Sequence, residues 1–338
     1  MRPFAYIVPT SVEEAVAARA EAGEGARFVA GGTNLYDLMK LGIASPSHLI
    51  DVTAVPGLDA IETDGDVLRF GTNARMSAVA ADEVVARDYP LLSESLWKAA
   101  AQQLRNMATV GANLLQRTRC MYFRNGAGSV STVGVYPCNK REPGAGCAAI
   151  GGLDRGQAVL GTSDACTAVS PGDWPVALLA MDAMVEVHGP GGTRDVPVAD
   201  FYRLPGDTPD VEFAVEPGEM ITAITVPKTA AGRRSTYHKI RDRESYAFAL
   251  ASAAVALEMD GESVRRARIA LGGVATVPWR ASAAEEALAG KRLTEEEALE
   301  AARTVFEEAR PGRDNAFKIE LGARTLADAL LIARDREA

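Results

Sequence analysis

An α+β fold built from more than one subdomain is predicted by three changes of pattern along the chain. Residues 1–55 alternate strand and helix as a compact βαβ unit, and from about Gly57 short hairpins and helices follow. Beyond residues 227–233, apolar strands lead into helices rich in alanine and glutamate. Segregated runs of strands and helices are typical of α+β folds. The sequence therefore predicts segments at 1–55, 56–228 and 229–338.

The first segment shows the periodicities of strands and helices in alternation. Ser11 is a predicted N-cap, because Glu14 follows three residues later. Gly31 and Gly32 stand between the second strand and the second helix. The predicted elements are a strand at 4–7, a helix from 12, a strand at 27–30, a helix at 36–41 and a strand at 48–52.

The second and third segments contain the remaining predicted elements. Asp64-Gly65 is a strong turn signal and predicts a hairpin. Its strands are 58–63 and 67–71, and they are followed by helices at 77–87, 91–104 and 173–179 and strands at 184–188 and 221–226. The third segment has predicted strands at 237–240, 248–258 and 265–272, with helices from there to the end.

All four cysteines of the 338 residues fall in one short stretch, with the spacing C-x17-C-x8-C-x18-C. Four gathered cysteines can form two disulfides, bind a structural zinc ion or hold an iron–sulfur cluster. Disulfides normally staple small secreted domains, and zinc ligands usually come as two close pairs, which this spacing lacks. We therefore favour a [4Fe-4S] cluster, with the other two interpretations left open. Its ligands would be Cys120, Cys138, Cys147 and Cys166.

The residues around these cysteines favour the same interpretation. A cluster with four thiolates carries negative charge that must be offset when it is buried. Glycines allow backbone amides to approach sulfur closely. A solvated surface loop is the alternative. The basic candidates are Arg117, Arg119, Arg124, Lys140 and Arg141, and the glycines are Gly144, Gly146, Gly151, Gly152 and Gly161.

Charge and hydropathy exclude several classes of protein. A formal net charge of -9 argues against nucleic acid as a partner. No apolar stretch approaches the roughly 20 residues that a membrane-spanning helix needs. We find no export signal, so the expected location is cytoplasmic, with periplasmic export on a signal-bearing partner as the alternative.

The glycine turns are candidate phosphate sites. Free backbone amides at a strand-to-helix turn bind phosphate, and glycine lets the ligand approach. Gly31 and Gly32 fit that role, and a second turn of small residues at 109–113 adds amides from another direction. An ordinary βα turn is the alternative. The chain has no Rossmann glycine fingerprint, no P-loop and no hydrolase signature.

Three motifs together resemble the FAD-binding subunit of the molybdenum hydroxylases, the xanthine dehydrogenase and aldehyde oxidoreductase family. They are AGGTNL at 30–35, ATVGANL at 108–114 and SPGD at 170–173. In that family the third motif normally follows the second almost at once. Here an insertion at about 116–166 carries the cysteines, and it resembles the flavin subunit of bacterial three-subunit aldehyde oxidoreductases.

The resemblance implies a vanillyl-alcohol-oxidase (PCMH)-type FAD-binding domain of two subdomains and a C-terminal α+β domain with a small antiparallel sheet and helices. It assigns the FAD diphosphate to the first turn and a second contact to the next. Asp173 would hydrogen-bond the cofactor, and Ala112 departs from the family's glycine. The implied FAD-binding residues are Ala30, Gly31, Gly32, Thr33, Asn34, Leu35, Thr109, Gly111, Asn113, Asp173, Ile224 and Lys239.

The function implied is that of an electron-transfer subunit with FAD and a [4Fe-4S] cluster. Its expected partners are a large subunit with molybdenum cofactor, a small [2Fe-2S] subunit and an external electron acceptor. No catalytic acid or base is expected on this chain. The alternatives are a subunit of a xanthine dehydrogenase or hydroxybenzoyl-CoA reductase-like complex, a self-sufficient flavin oxidoreductase, and a non-catalytic metal-bearing scaffold.

Overall fold

The computed structural model describes residues 2–125 and 135–336, and within these ranges the strands form three sheets. Part of the predicted insertion, residues 126–134, lies outside the described residues. In the described ranges, no helix combines the length and apolar character that crossing a bilayer requires.

The first sheet is parallel and follows the predicted βαβ pattern, with strand order β1-β3-β2. The first helix begins as predicted, because the Ser11 hydroxyl accepts a hydrogen bond from the Glu14 amide at 3.1 Å. The elements are β1 (Ala5–Ile7), α1 (Val12–Ala22), β2 (Ala26–Val29), α2 (Leu35–Lys40), β3 (His48–Asp51) and a 3₁₀ turn (Val52–Ala54).

The second sheet is antiparallel, and its five strands have the order β4-β5-β8-β6-β7. The predicted hairpin around Asp64-Gly65 is confirmed, although its first strand is shorter than expected. Sequence analysis missed β7, an edge strand whose first four residues are exposed and lack apolar alternation. The strands are β4 (Ile61–Glu62), β5 (Val67–Gly71), β6 (Met184–Gly189), β7 (Gly192–Pro197) and β8 (Met220–Pro227).

The two long helices predicted in the second segment are each broken, which corrects that prediction. Asp82 has extended backbone geometry, and its carboxylate accepts hydrogen bonds from the amides of Val84 and Val85, so a new helix starts there. Ala100 interrupts the second with a positive φ of 47°. The helices are α3 (Met76–Ala81), α4 (Glu83–Asp88), α5 (Pro90–Trp97), α6 (Gln102–Arg105), α7 (Val110–Leu114), α8 (Met121–Arg124), α9 (Trp174–Ala180) and α10 (Val198–Phe201).

The third sheet is antiparallel, with strand order β12-β11-β10-β9, and is covered on both faces. Along β10, Ala254 and Ala256 belong to the central core, whereas Val255 and Leu257 face the C-terminal helices. This strand therefore joins two hydrophobic cores. The elements are a 3₁₀ turn (Ala230–Gly232), β9 (Ser235–Ile240), β10 (Ala251–Asp260), β11 (Ser263–Gly272), β12 (Trp279–Arg280), α11 (Ser282–Leu288), α12 (Glu295–Thr304) and α13 (Phe317–Arg334).

The end of the predicted cysteine-bearing insertion is held by the C-terminal segment. The Asp154 carboxylate accepts hydrogen bonds from the amides of Arg313 and Asp314, both at 2.7 Å. Asn315 donates to the carbonyls of Gln157 and Ala158 at 3.3 and 3.2 Å. These bonds fix the last third of the insertion against the start of α13.

Lys318 is a buried cation at the same junction, only 2% exposed, and it donates to the Gly273 carbonyl at 2.7 Å. Burial, and secondarily the charge of Arg155, lowers the pKa of its amine to about 8, while Asp242 acts in the opposite direction. Between pH 8 and 10.5 the unfolded chain therefore binds a proton that the folded chain lacks.

We expect the free energy of unfolding to rise with pH over that interval, relative to Lys318→Met, by about 3 kcal/mol. Urea unfolding of both proteins at pH 7 to 10 measures the difference. If the free energies of unfolding of the unmutated protein and of Lys318→Met change with pH in parallel, burial does not lower the pKa of Lys318.

Candidate cofactor site

The two predicted glycine turns lie against each other. A Cβ at Gly31 would overlap the Met107 carbonyl oxygen and stand 2.7 Å from its carbonyl carbon, so only glycine fits beside this backbone. Gly32 has a φ of +70°, the left-handed region that favours glycine. The first turn therefore packs directly onto the residues that lead into the second.

A third segment, residues 71–73 at the end of β5, packs against the second turn. Sequence analysis did not single it out. A Cβ at Gly111 would overlap the Thr72 hydroxyl and lie 2.9 Å from Thr72 Cα. The Gly111 amide donates to the Thr72 carbonyl at 3.0 Å. The signal was present, because the triplet Gly-Thr-Asn at 71–73 repeats that at 32–34.

Polar atoms without a protein partner are gathered on these turns. Among the described residues, Asn34 Nδ2, Asn73 Oδ1 and Thr109 Oγ1 are buried and have no hydrogen-bond partner. Buried polar groups are normally paired, so such atoms call for an explanation. A bound ligand with polar groups would supply the missing partners, as predicted for Asn34 and Thr109.

Asp173 and Lys239, each predicted separately as an FAD-binding residue, form a buried ion pair although they are distant in sequence. The Asp173 carboxylate accepts from Lys239 Nζ at 2.7 Å and from the Tyr237 hydroxyl at 2.6 Å. Lys239 also donates to the Lys98 carbonyl at 3.1 Å. Burial and the nearby Asp173 charge raise the pKa of Tyr237 well above its usual value. Sequence analysis missed Tyr237, which an alternating strand presents as an ordinary core residue.

The remaining predicted residues divide between the site and the core. Asn113 accepts from Gln116 Nε2 at 3.2 Å, so it remains beside the second turn. Ile224 is completely buried in β8, opposite Phe70 and Val185. Its role beside the flavin stays a prediction. Three other predicted residues on the first turn are half-buried, namely Ala30, Thr33 and Leu35.

The four cysteines line one cavity and are free thiols in the described part of the chain. Within residues 2–125 and 135–336, no three His, Cys, Asp or Glu side chains are close enough to hold a single metal ion. A single ion with bonds of about 2.3 Å needs closely gathered sulfurs, whereas a cubane spreads its four thiolates further apart. The four thiols are not joined in disulfides in the described residues, and the cluster they were predicted to hold stays a prediction.

Hydrogen-bond donors reach two of the sulfurs. Gln157 Nε2 donates to Cys120 Sγ, and the Ala168 amide donates to Cys166 Sγ, both at 3.4 Å. Burial raises the pKa of the Cys166 thiol to about 11 and also raises that of Cys120. A cationic metal group would reverse this preference and stabilise the thiolates. Sequence analysis missed Gln157.

Most of the basic residues expected to offset a cluster have other partners. Arg119 and Arg124 bind Asp37, and Arg117 binds Glu212. Arg141 donates to backbone carbonyls of residues 122 and 123, and only Lys140 lines the cavity. Whether these residues offset the charge of a cluster stays a prediction. Their hydrogen-bond partners are carboxylates and carbonyls that sequence analysis did not associate with them.

Comparisons with known proteins agree over the whole chain. Residues 2–229 match the family described as FAD binding domain in molybdopterin dehydrogenase, and residues 235–332 match the CO dehydrogenase flavoprotein C-terminal domain. The aldehyde oxidoreductase FAD-binding subunit PaoB of Escherichia coli is 48% identical over 99% of both chains. The carbon monoxide dehydrogenase medium chain of Afipia carboxidovorans is 29% identical, covering 98% of this chain and 97% of that one.

A solved structure shows the same fold. It is carbon monoxide dehydrogenase from Hydrogenophaga pseudoflava, with a TM-score of 0.77 and 29% identity. The alignment covers 100% of this chain and 99% of that one. The predicted α+β architecture is therefore confirmed.

Proposed function

We propose a specific role from the premise that this chain belongs to the FAD-binding subunits of the molybdenum hydroxylases and is part of an oxidoreductase. The role is electron transfer in a molybdenum-dependent aldehyde oxidoreductase. Electrons would come from partner subunits with molybdenum cofactor and [2Fe-2S] clusters and leave to an external acceptor. The observation that supports the aldehyde substrate is the 48% identity to PaoB.

The residues of the two glycine turns would hold FAD, which when bound exchanges electrons singly or in pairs. Gly31 and Gly111 keep the turns close together, and the unpartnered Asn34 and Thr109 side chains supply polar contacts. The Asp173–Lys239 pair holds a fixed, buried carboxylate and ammonium beside α9 and β9. Such fixed charges orient a polar ring system and tune its affinity for electrons.

The cysteine cavity would hold a [4Fe-4S] cluster, which when bound transfers single electrons. Two observations support it: four free thiols line one cavity, and two of the sulfurs accept hydrogen bonds. The hydrogen bond from Gln157 to Cys120 Sγ would stabilise the additional negative charge of the reduced cluster, and it would so raise the reduction potential of the cluster.

Cys138→Ser is expected to reduce bound iron to background, because a hydroxyl replaces a thiolate ligand and Cys138 is 8% exposed. The measurement is iron and labile sulfide analysis with an absorption spectrum on the full-length chain, because the proposed [2Fe-2S] clusters of a partner subunit would add iron and sulfide in the full complex. Ala149→Ser is the matched control, since Ala149 lines the same cavity and the change adds a hydroxyl without removing a thiol.

Zinc, no metal, or cystine bridges in the unmutated protein would contradict the cluster. Unchanged reduction of each bound flavin by aldehyde, after iron is lost, would make the cluster structural. Turnover of aldehyde by the isolated chain would instead identify a self-sufficient flavin enzyme.

A further inference from the structure

Helix α2 connects the two sites. Its residues follow the first glycine turn directly. Its Asp37 carboxylate contacts residues 117–124, which surround Cys120 and are called the cysteine segment below. Asp37 accepts from Arg119 Nη1 at 2.9 Å and from Arg124 Nη2 at 2.8 Å. These two arginines flank Cys120 in the sequence, so one carboxylate on the FAD side holds both ends of that stretch.

Apolar packing reinforces the connection. Leu38, next to Asp37, forms a small buried cluster with Phe123 and Cys138. Their exposed fractions are 6%, 0% and 8%, so this contact is shielded from water. A predicted metal ligand thus packs directly on the helix that follows the first turn.

A third contact reaches the turn itself. The Arg117 amide donates to Asn34 Oδ1 at 3.0 Å, which fixes the Asn34 side chain with its Nδ2 buried and unpartnered. Arg117 stands three residues before Cys120. Movement of the cysteine segment would therefore move the polar group that the first turn presents to its ligand.

The arginines have few alternatives to Asp37. Arg119 Nε and Arg124 Nη1 are buried and lack a hydrogen-bond partner in the described ranges. Removing the carboxylate would leave two partly buried cations uncompensated, which is costly. The segment would then shift until those groups find water or another acceptor.

We propose that the cysteine segment and the first glycine turn are energetically coupled through α2, with Asp37 as the positioning residue. The occupant of the cysteine cavity raises the affinity for FAD, and FAD raises retention of that occupant by the same factor, since coupling between two sites is reciprocal. The identity of the occupant as a [4Fe-4S] cluster rests on the proposed function. The contacts of Asp37 do not.

The test is a cycle of four full-length proteins: unmutated, Asp37→Asn, Cys147→Ser and the double variant. Flavin fluorescence titration gives the Kd for FAD, and metal analysis gives iron. We expect Asp37→Asn and Cys147→Ser each to raise the Kd about tenfold, within the usual range of coupling between sites. The increase in Kd for the double variant should be well below the product of the two single increases, because both changes break the same connection.

Two further variants separate coupling from general damage. Asp182→Asn is the matched control, because Asp182 also accepts from two arginines, Arg268 and Arg280, at 3.0 and 2.7 Å, far from α2 in sequence. It should leave the Kd unchanged. Asp37→Glu keeps the negative charge, and the Asp37 side chain is about a third exposed, which leaves room for a longer one. This variant should therefore keep most of the affinity for FAD that Asp37→Asn loses.

A Kd for Asp37→Asn equal to that of Asp182→Asn would overturn the coupling. So would a double variant whose increase in Kd equals the product of the increases for Asp37→Asn and Cys147→Ser. An unmutated protein without iron would end the cluster assignment. In that case the comparison of Asp37→Asn, Asp37→Glu and Asp182→Asn still decides whether the cysteine segment supports the turn.

Discussion

Gly31→Ala is expected to weaken FAD binding by about tenfold to a hundredfold. The added methyl would overlap the Met107 carbonyl and lie 3.0 Å from Ala108 Cα, and these backbone atoms cannot rotate away as a side chain would. Overpacking of this kind costs about 1–3 kcal/mol, and each ~1.4 kcal/mol is a tenfold change in affinity. The two turns must therefore separate, and the polar groups of Asn34 and Thr109 separate with them.

The measurement is flavin content of the isolated protein together with the Kd for FAD. Gly191→Ala is the control, because a Cβ there meets no described heavy atom within 4 Å and its φ is not in the left-handed region. Full flavin occupancy and unchanged affinity in Gly31→Ala would show that the contact between the turns does not shape the site.

Lys239→Met is expected to lower the free energy of unfolding by about 3–5 kcal/mol, the usual cost of removing one partner of a buried ion pair. The Lys239 and Asp173 side chains are 1% and 7% exposed, so water cannot replace the lost ammonium. Asp173 would keep the Tyr237 hydroxyl as its remaining partner. Urea unfolding of the FAD-free chain measures the change without a contribution from ligand binding.

Lys291→Met makes the same chemical change at a surface pair. Lys291 binds Glu297 at 2.6 Å with side chains 46% and 33% exposed, and such exposed pairs contribute little to stability because water screens the two charges. Adding Asp173→Asn to Lys239→Met should recover part of the loss, because it removes the stranded charge. Equal effects of Lys239→Met and Lys291→Met would mean that the Asp173–Lys239 pair is not the buried charge pair described above.

Local patterns predicted the elements that depend on neighbouring residues. The Ser11 cap, the Asp64-Gly65 hairpin and the glycine turn after β2 were all found from sequence. They could be, because each depends on residues within a few positions of one another. The breaks at Asp82 and Ala100 were missed, since apolar periodicity continues through them and only backbone geometry reveals the interruption.

By itself, the sequence determined which residue types are available: four thiols within residues 120–166 and two turns rich in glycine and other small residues. Only the tertiary structure decided which groups surround them. It pairs Arg119 and Arg124 with Asp37, more than eighty residues earlier, and joins Asp173 to Tyr237 and Lys239 across more than sixty. The physical reason is that ion pairs and hydrogen bonds depend on separation in space, which folding sets and local residue patterns do not specify.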